Sequence, residues 1–319
     1  MADYDIFNGD ADGICSLLQL RLSDPRPDAT IVTGRKRDIN LLDRVHAGQG
    51  DRLTVLDISM RSNADDLTRL LEAGASVFYA DHHNAGEVPL QHENLDAHIN
   101  LASEMCTAVI INEILRGAFK DWAVVGAFGD NFPALAKRIA GSNRNLDFDT
   151  LERLGMLLNY NGYGATLDDL HFHPADLFKV LLPYQSPADF LSDDTQTYQH
   201  LNAGYEADMA MAKDAEILLD TPSAKALLLS DCAASRRVSG VYGNQLAREH
   251  PDRAHAVLTQ NGDSYVVSVR APKSKPKGAD TLCLQFATGG GRAAAAGINA
   301  LHDTEIDRFL SVFETHFKS

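Results

Sequence analysis

The chain has 319 residues, long for one ordinary domain and comfortable for two. Its 45% apolar and 23% charged residues are the balance of a soluble globular protein. A formal net charge of −15 and a pI near 5.1 exclude a general coat for long nucleic acid, which is usually basic. The longest apolar runs, such as residues 123–128, fall far short of the roughly 20 needed to span a bilayer. The opening MADYDIFNGD has no basic start and no apolar signal region, so the expectation is a cytoplasmic chain without membrane contact.

In chain order, residues 4–7, 29–33, 53–56 and 76–80 are short, apolar and rich in β-branched or aromatic types, and they read as strands. Helical candidates lie between them at 14–22, 39–45 and 63–73; in the last, Ala64, Leu67, Leu70 and Leu71 share one face. This alternation predicts an α/β domain with a parallel sheet covered on both faces. Residues 104–180 read as mainly helical, looser around Gly141 to Asn145 and Gly162 to Gly164. From Pro187 to about Leu219 the chain is polar and predicted helical, ending at Thr221-Pro222, which reads as a connector. A second, smaller α/β domain then begins. Its strands are 224–230, 254–259 and 265–270, the last two flanking the hairpin pair Asn261-Gly262. The last helix aligns Ile306, Phe309, Leu310, Phe313 and Phe317. The expected organisation is therefore residues 1–186 as a metal-binding catalytic domain, 187–222 as connector and 223–319 as a substrate-binding domain. Cys15, Cys106, Cys232 and Cys283 lack metal-ligand spacing and read as apolar filler.

The charge is uneven. Between Arg236 and Lys277 eight Lys/Arg face three Asp/Glu, a local +5, which reads either as a phosphate-gripping surface or as a solvated charged face.

Three acidic motifs end predicted strands. Strand one runs into Asn8-Gly9-Asp10-Ala11-Asp12-Gly13, the third into Asp57 and the fourth into Asp81-His82-His83. Ligand sites in open parallel sheets form outside the carboxyl ends of the strands, so these motifs should meet at one edge. Asp130 follows the apolar run 123–128 in Gly129-Asp130-Asn131. Carboxylates gathered in one pocket repel each other, and divalent cations remove that cost. Carboxylate oxygens with one or two imidazoles suit Mn²⁺ and accept Mg²⁺, and the absence of cysteine from the set weakens a structural-zinc reading. Taken singly, Asp10, Asp12 and Asp57 also read as helix N-caps. His171 and His173, flanking a Phe before Pro174, have no visible metal partners.

The ordered set Asp-x-Asp-Gly, strand-end Asp, Asp-His-His and Gly-Asp resembles the DHH phosphoesterase family. Gly289-Gly290-Gly291-Arg292-Ala293-Ala294-Ala295-Ala296-Gly297 resembles the GGGHxxAAG signature of the domain that follows the catalytic one there, and Val267-Ser268-Val269-Arg270 resembles the preceding strand. The resemblance spans nearly the whole chain. It implies that Asp57 bridges two metals, Asp10 binds the first, and Asp12, His82 and Asp130 complete the second. It further implies that His83 faces the substrate phosphate and that Asp81 orients the histidines. Gly289, Gly290 and Gly291 would offer backbone N–H groups to a terminal phosphate, with Arg270, Arg292 and Arg236 adding charged forks, and the active site would lie in the interdomain cleft. Three positions depart from the pattern. Ile6 stands where many members have histidine, Asn8 where the RecJ-like branch has aspartate, and Arg292 replaces the signature histidine. The first two leave the first metal position short of a ligand and the number of ions, one or two, open.

The expected function is a Mn²⁺-dependent phosphoesterase acting on short oligonucleotides or small phosphorylated nucleotides, with the oligomeric state, a homodimer included, left open. The alternatives are a RecJ-like single-strand DNA exonuclease and a non-catalytic nucleotide-binding regulatory protein.

Overall fold

The structure, a computed structural model, describes residues 1–86, 92–141 and 147–318. The chain divides into two units, Met1–Asn202 and Ala203–Ser319.

In the first unit the parallel sheet forms from β1 (Asp3–Phe7), β2 (Thr30–Val32), β3 (Arg52–Leu56), β4 (Ser76–Asp81) and β5 (Leu95–Ile99), in the order β2-β1-β3-β4-β5. All four pairings are parallel. Strand alternation sends Ile6, Val55, Val77 and Tyr79 into one apolar layer with Leu67, Leu70 and Leu71 of α2 (Ala64–Glu72). Opposite lies α1 (Ala11–Ser23), where Arg21 of the helix grips Asp5 of β1. Both charges are buried, and Arg21 also donates to Thr54 Oγ1 at 2.7 Å, so neither end of the pair is left bare. Helices α3 (Thr107–Ile114), α4 (Lys120–Gly129), α5 (Pro133–Ala140), α6 (Phe148–Asn161) and α7 (Pro174–Leu181) follow. Then come α8 (Pro187–Asp193) and α9 (Thr195–Ala212), which runs across the division between the units. An alanine-sized Cβ at Gly129 would meet Ala11 Cβ at 2.2 Å, so glycine permits the close approach of α4 to α1 that places Asp130.

Two elements of this unit differ from expectation. Residues 39–45 form only a 3-10 turn, Leu42–Arg44: the Asn63 side chain accepts from Leu42 N–H and takes up the Ile39 carbonyl, bonds that a helix would have spent internally. Strand β5 has no counterpart in the predicted elements, although LDAHI alternates Leu95, Ala97 and Ile99, which pack on the apolar layer, with the polar Asp96 and His98. The expected loose stretch at Gly141 to Asn145 lies, beyond Gly141, outside the described residues.

The second unit is built on a six-stranded sheet of order β10-β11-β9-β8-β7-β6. Its strands are β6 (Glu216–Asp220), β7 (Ala224–Leu229), β8 (Ala254–Asn261), β9 (Ser264–Arg270), β10 (Gly289–Arg292) and β11 (Ala295–His302). Only β7–β8 is parallel. Strand β6 corrects the helical reading of residues up to Leu219: α9 stops at Ala212, and Leu218 and Leu219 pack on the apolar layer as an edge strand. Asn261 pairs with Ser264, so the hairpin turn is Gly262-Asp263, one residue later than expected, with Gly262 at φ 59. One sheet face carries α11 (Ala279–Cys283) and α12 (Ile306–His316), whose Phe309 and Phe313 are fully buried. The other carries α10 (Ala233–Glu249), which hydrogen-bonds Arg270. No helix among the described residues is long and apolar enough to cross a membrane.

Candidate metal centre

The strand order reverses between β1 and β3, and Asp10 and Asp57 follow those two strands. Asp10 is the N-cap of α1. Its Oδ1 accepts from Asp12 N–H at 3.0 Å and Gly13 N–H at 3.1 Å, and its Oδ2 meets Lys36 Nζ at 2.5 Å. Burial alone would push its pKa up, but Lys36 and these donors hold it below the usual carboxylate range. Gly13 is required there, since a Cβ would sit 2.1 Å from the Asn8 carbonyl oxygen.

Asp12 is fully buried and reaches across to the start of α3, where its two oxygens accept from Thr107 N–H and Ala108 N–H at 2.7 Å. The capping reading of these aspartates therefore describes their hydrogen bonds without excluding a second role. Burial raises the Asp12 pKa, and repulsion from Asp130 and Asp10 adds to it against the attraction of His82. Asp57 takes a left-handed backbone, φ 60, pinned by its N–H to the Ala80 carbonyl at 3.0 Å, and its Oδ1 accepts from Thr107 Oγ1 at 3.0 Å. Burial first, then the charges of Asp12, Asp10, Asp130 and Asp81, push its pKa well above normal.

His82 Nε2 lies 3.5 Å from Asp57, 3.6 Å from Asp130 and 3.9 Å from Asp12, too far to hydrogen-bond any of them and well placed to share an ion with them. Asp81 Oδ1 and His83 Nδ1 are 2.7 Å apart, and although burial works against protonation, Asp81 raises the His83 pKa. Asp130 follows α4; its Oδ2, like Asp81 Oδ2, is buried with no hydrogen-bond partner among the described residues. Among the described residues two groups of donor atoms, each with its atoms within 4.8 Å of one another, could hold an ion: Asp12, His82 and Asp130, and Asp57, His82 and His83. Orphaned buried oxygens and a carboxylate–imidazole donor set fit a hard divalent cation.

Lys36 is absent from the sequence-derived set. It follows β2 at the same sheet edge, in Arg35-Lys36-Arg37, and the readable signal was its position after a strand, as for the acidic motifs. Its Nζ also meets Asn159 Oδ1 at 2.9 Å and Asp130 Oδ1 at 3.4 Å.

The remaining candidate residues belong to the second unit. Arg236 is ion-paired with Asp231, Arg237 with Asp208 and Arg253 with Asp220, so acids outside the basic stretch neutralise much of its local charge. Arg270 donates to Asn244 Oδ1, Ser268 Oγ and the carbonyls of Val269 and Gly240. Gly289, Gly290 and Gly291 stand in edge strand β10, paired with β11. A Cβ at Gly289 would strike the Cys283 carbonyl oxygen, and Gly291 has φ 139, whereas Gly290 faces open space. Ala295 pairs with both Arg270 and Arg292, so these two arginines occupy one row on one face of the sheet, two strands or roughly 10 Å apart.

No protein-family model and no curated protein matches the sequence. Solved structures do. One is the DHH domain of a member of the s1p family of ribosomal proteins, with a TM-score of 0.66 and 13% identity, covering 98% of this chain and 86% of that one. Another is the exonuclease RecJ bound to manganese, at 0.64 and 18%, covering 99% and 90%. A third is the pGpG-specific phosphodiesterase PggH from Vibrio cholerae, at 0.58 and 15%, covering 99% of each chain. At such identities the likeness is one of fold, and it extends over both units: the chain has the fold of DHH-domain proteins.

Proposed function

We propose that this protein is a divalent-cation-dependent phosphoesterase, with Mn²⁺ the preferred ion and Mg²⁺ a substitute, acting on short oligonucleotides or small phosphorylated nucleotides. The observation that carries the reading is the convergence of Asp12, His82 and Asp130 within 4.8 Å at the carboxyl edge of the parallel sheet. A bound cation supplies charge to neutralise phosphoryl oxygens and lowers the pKa of water. Asp12, His82 and Asp130 hold it, and Asp57 stands beside them as the oxygen donor nearest His82. Asp81 accepts from His83 Nδ1–H, which turns His83 Nε2 outward to hold a proton for the substrate phosphate or the departing oxygen.

The fold neighbours include enzymes of both substrate ranges, an exonuclease and a dinucleotide phosphodiesterase. Charge favours the small range: with +5 placed between Arg236 and Lys277, the remainder carries −20, which repels a long polyanion. In the second unit Arg270, Arg292 and the β10 edge are the proposed grip for a terminal phosphate, with Arg236 beside its Asp231 partner as a weaker contributor.

The test is a hydrolysis panel of short RNA, short DNA, pGpG, bisphosphorylated adenosine and cyclic dinucleotides, run with Mn²⁺, with Mg²⁺ and with chelator. Turnover should require the cation and favour the linear short substrates. Undiminished turnover in excess chelator rejects the cation mechanism. Nucleotide binding with no turnover on any substrate supports the regulatory alternative.

A further inference from the structure

The loop after β2 brings a cation of its own to the acidic edge. Lys36 Nζ has three hydrogens and three oxygen neighbours: Asp10 Oδ2 at 2.5 Å, Asn159 Oδ1 at 2.9 Å and Asp130 Oδ1 at 3.4 Å. The Tyr163 ring lies over it, 5.8 Å from the ammonium nitrogen to the ring centroid. The main chain at Lys36 is pinned on both sides. Its N–H donates to the Gly162 carbonyl at 2.8 Å, and its carbonyl accepts from Asn8 Nδ2 at 3.1 Å. That last bond needs an amide at position 8, because a carboxylate has no N–H to give. Ile6 is wholly buried in the apolar layer against α2 and offers no donor atom. The Asn8 departure is therefore built into the seating of the lysine, and the Ile6 departure removes a donor from the same edge. Neither donor cluster that could hold an ion includes Asp10, and the two share His82.

We propose that the Lys36 ammonium is a resident cation that occupies Asp10 in place of a first metal ion, so that the centre takes a single divalent ion at Asp12, His82 and Asp130. The inference rests on the cation-dependent reading above. An ammonium and a divalent ion cannot share the same carboxylate oxygens at these distances, since like charges would then sit within a few ångströms of each other in a poorly solvated site.

The number of bound ions decides it. Mn²⁺ binding to the full chain is followed by calorimetry and native mass spectrometry, and electron paramagnetic resonance reports whether two ions are coupled. The wild-type protein should bind one equivalent and give an uncoupled signal. Lys36→Ala should bind two and show coupling, because Asp10 Oδ2, Asn159 Oδ1 and Asp130 Oδ1 then lose the ammonium. Lys36→Arg retains the charge and should stay at one. Circular dichroism checks that each variant is folded; if Lys36→Ala does not fold, the wild-type and Lys36→Arg counts still decide, and two equivalents in either overturns the inference. One equivalent in folded Lys36→Ala also overturns it. No Mn²⁺ bound by the wild type overturns the cation-dependent reading itself, a result distinct from binding two.

Discussion

In the first unit five parallel strands end at one edge, and residues from loops more than 100 positions apart, Asp10 to Asp130, meet there. In the second, mainly antiparallel strands distribute their functional candidates over a face, with Arg270 and Arg292 aligned through Ala295. The contrast follows from hydrogen-bonding geometry. Parallel strands need crossovers that return every carboxyl end to the same side, whereas antiparallel neighbours alternate ends and share only rows of side chains. Charge follows the same division: the first site gathers carboxylates until their pKa values separate, and the second sets out Arg270, bonded to Asn244, Ser268 and Gly240, in one row with the exposed Arg292.

Four predictions test that contrast. The largest effect belongs to the carboxylate edge. Asp57→Asn should lose more than ~100-fold in turnover, as expected when a residue beside a catalytic cation stops carrying charge. The fold should survive, because asparagine also tolerates the left-handed backbone that Asp57 adopts. Near-normal turnover removes Asp57 from the site.

The arginine row should behave differently. Arg292 is exposed, so Arg292→Ala should raise the Michaelis constant about 10-fold, the scale of one lost charge-assisted hydrogen bond, while leaving the melting temperature unchanged. Arg270→Ala should raise it similarly and also lower the melting temperature, since it strips donors from the Gly240 and Val269 carbonyls. Steady-state kinetics across a ladder of oligonucleotide lengths reads both, and catalytic efficiency rising toward long single strands replaces the small-substrate reading with a RecJ-like one.

The carboxylate edge should also couple ion uptake to protons. Asp57 and Asp12 have raised pKa values in the folded chain, so over the window above the ordinary carboxylate value the folded, ion-free protein keeps protons that the unfolded chain has lost. Their contribution to the stability of the ion-free chain therefore falls as pH rises through that window. Mn²⁺ must displace those protons, so its affinity should rise with pH and binding should release protons, measurable by calorimetry in buffers of different ionisation enthalpy. Affinity independent of pH contradicts this electrostatic picture.

The smallest effect lies in the second unit at His255, the β8 neighbour of Arg270 in the same row. Burial, together with the nearby charges of Arg253, His250 and Lys225, lowers the pKa of His255 from 6.5 to about 4. Between those values the unfolded chain takes up a proton that the folded one refuses, so stability is fully present above pH 6.5 and declines as pH falls toward 4. His255→Gln should flatten that slope in acid melting curves.

Much of this was legible in the sequence. Apolar runs of strand length alternating with amphipathic segments specify a parallel sheet, and an acidic group directly after a strand specifies the edge on which it emerges. Both rules are local, which is why the sequence alone assigns Asp10, Asp57 and Asp81 to one edge. The Asn261-Gly262 signal located a hairpin to within one residue, because only a few residues adopt the turn's backbone. What the tertiary structure decided depends on partners distant in sequence. Residues 39–45 became a single turn because Asn63 competes for their backbone groups, and residues 216–220 became strand β6 by pairing with β7. The glycine run became a paired strand, with backbone contacts at Cys283 and Ala296 requiring glycine. Lys36 stands in a basic tripeptide like any solvated surface segment, and only the folded chain, which brings Asp10, Asp130 and Asn159 around its ammonium, separates it from Arg35 and Arg37. Hydrogen bonds and charges act over a few ångströms, so a residue's role is fixed by which groups the chain returns to its side, and periodicity in the sequence carries no record of that.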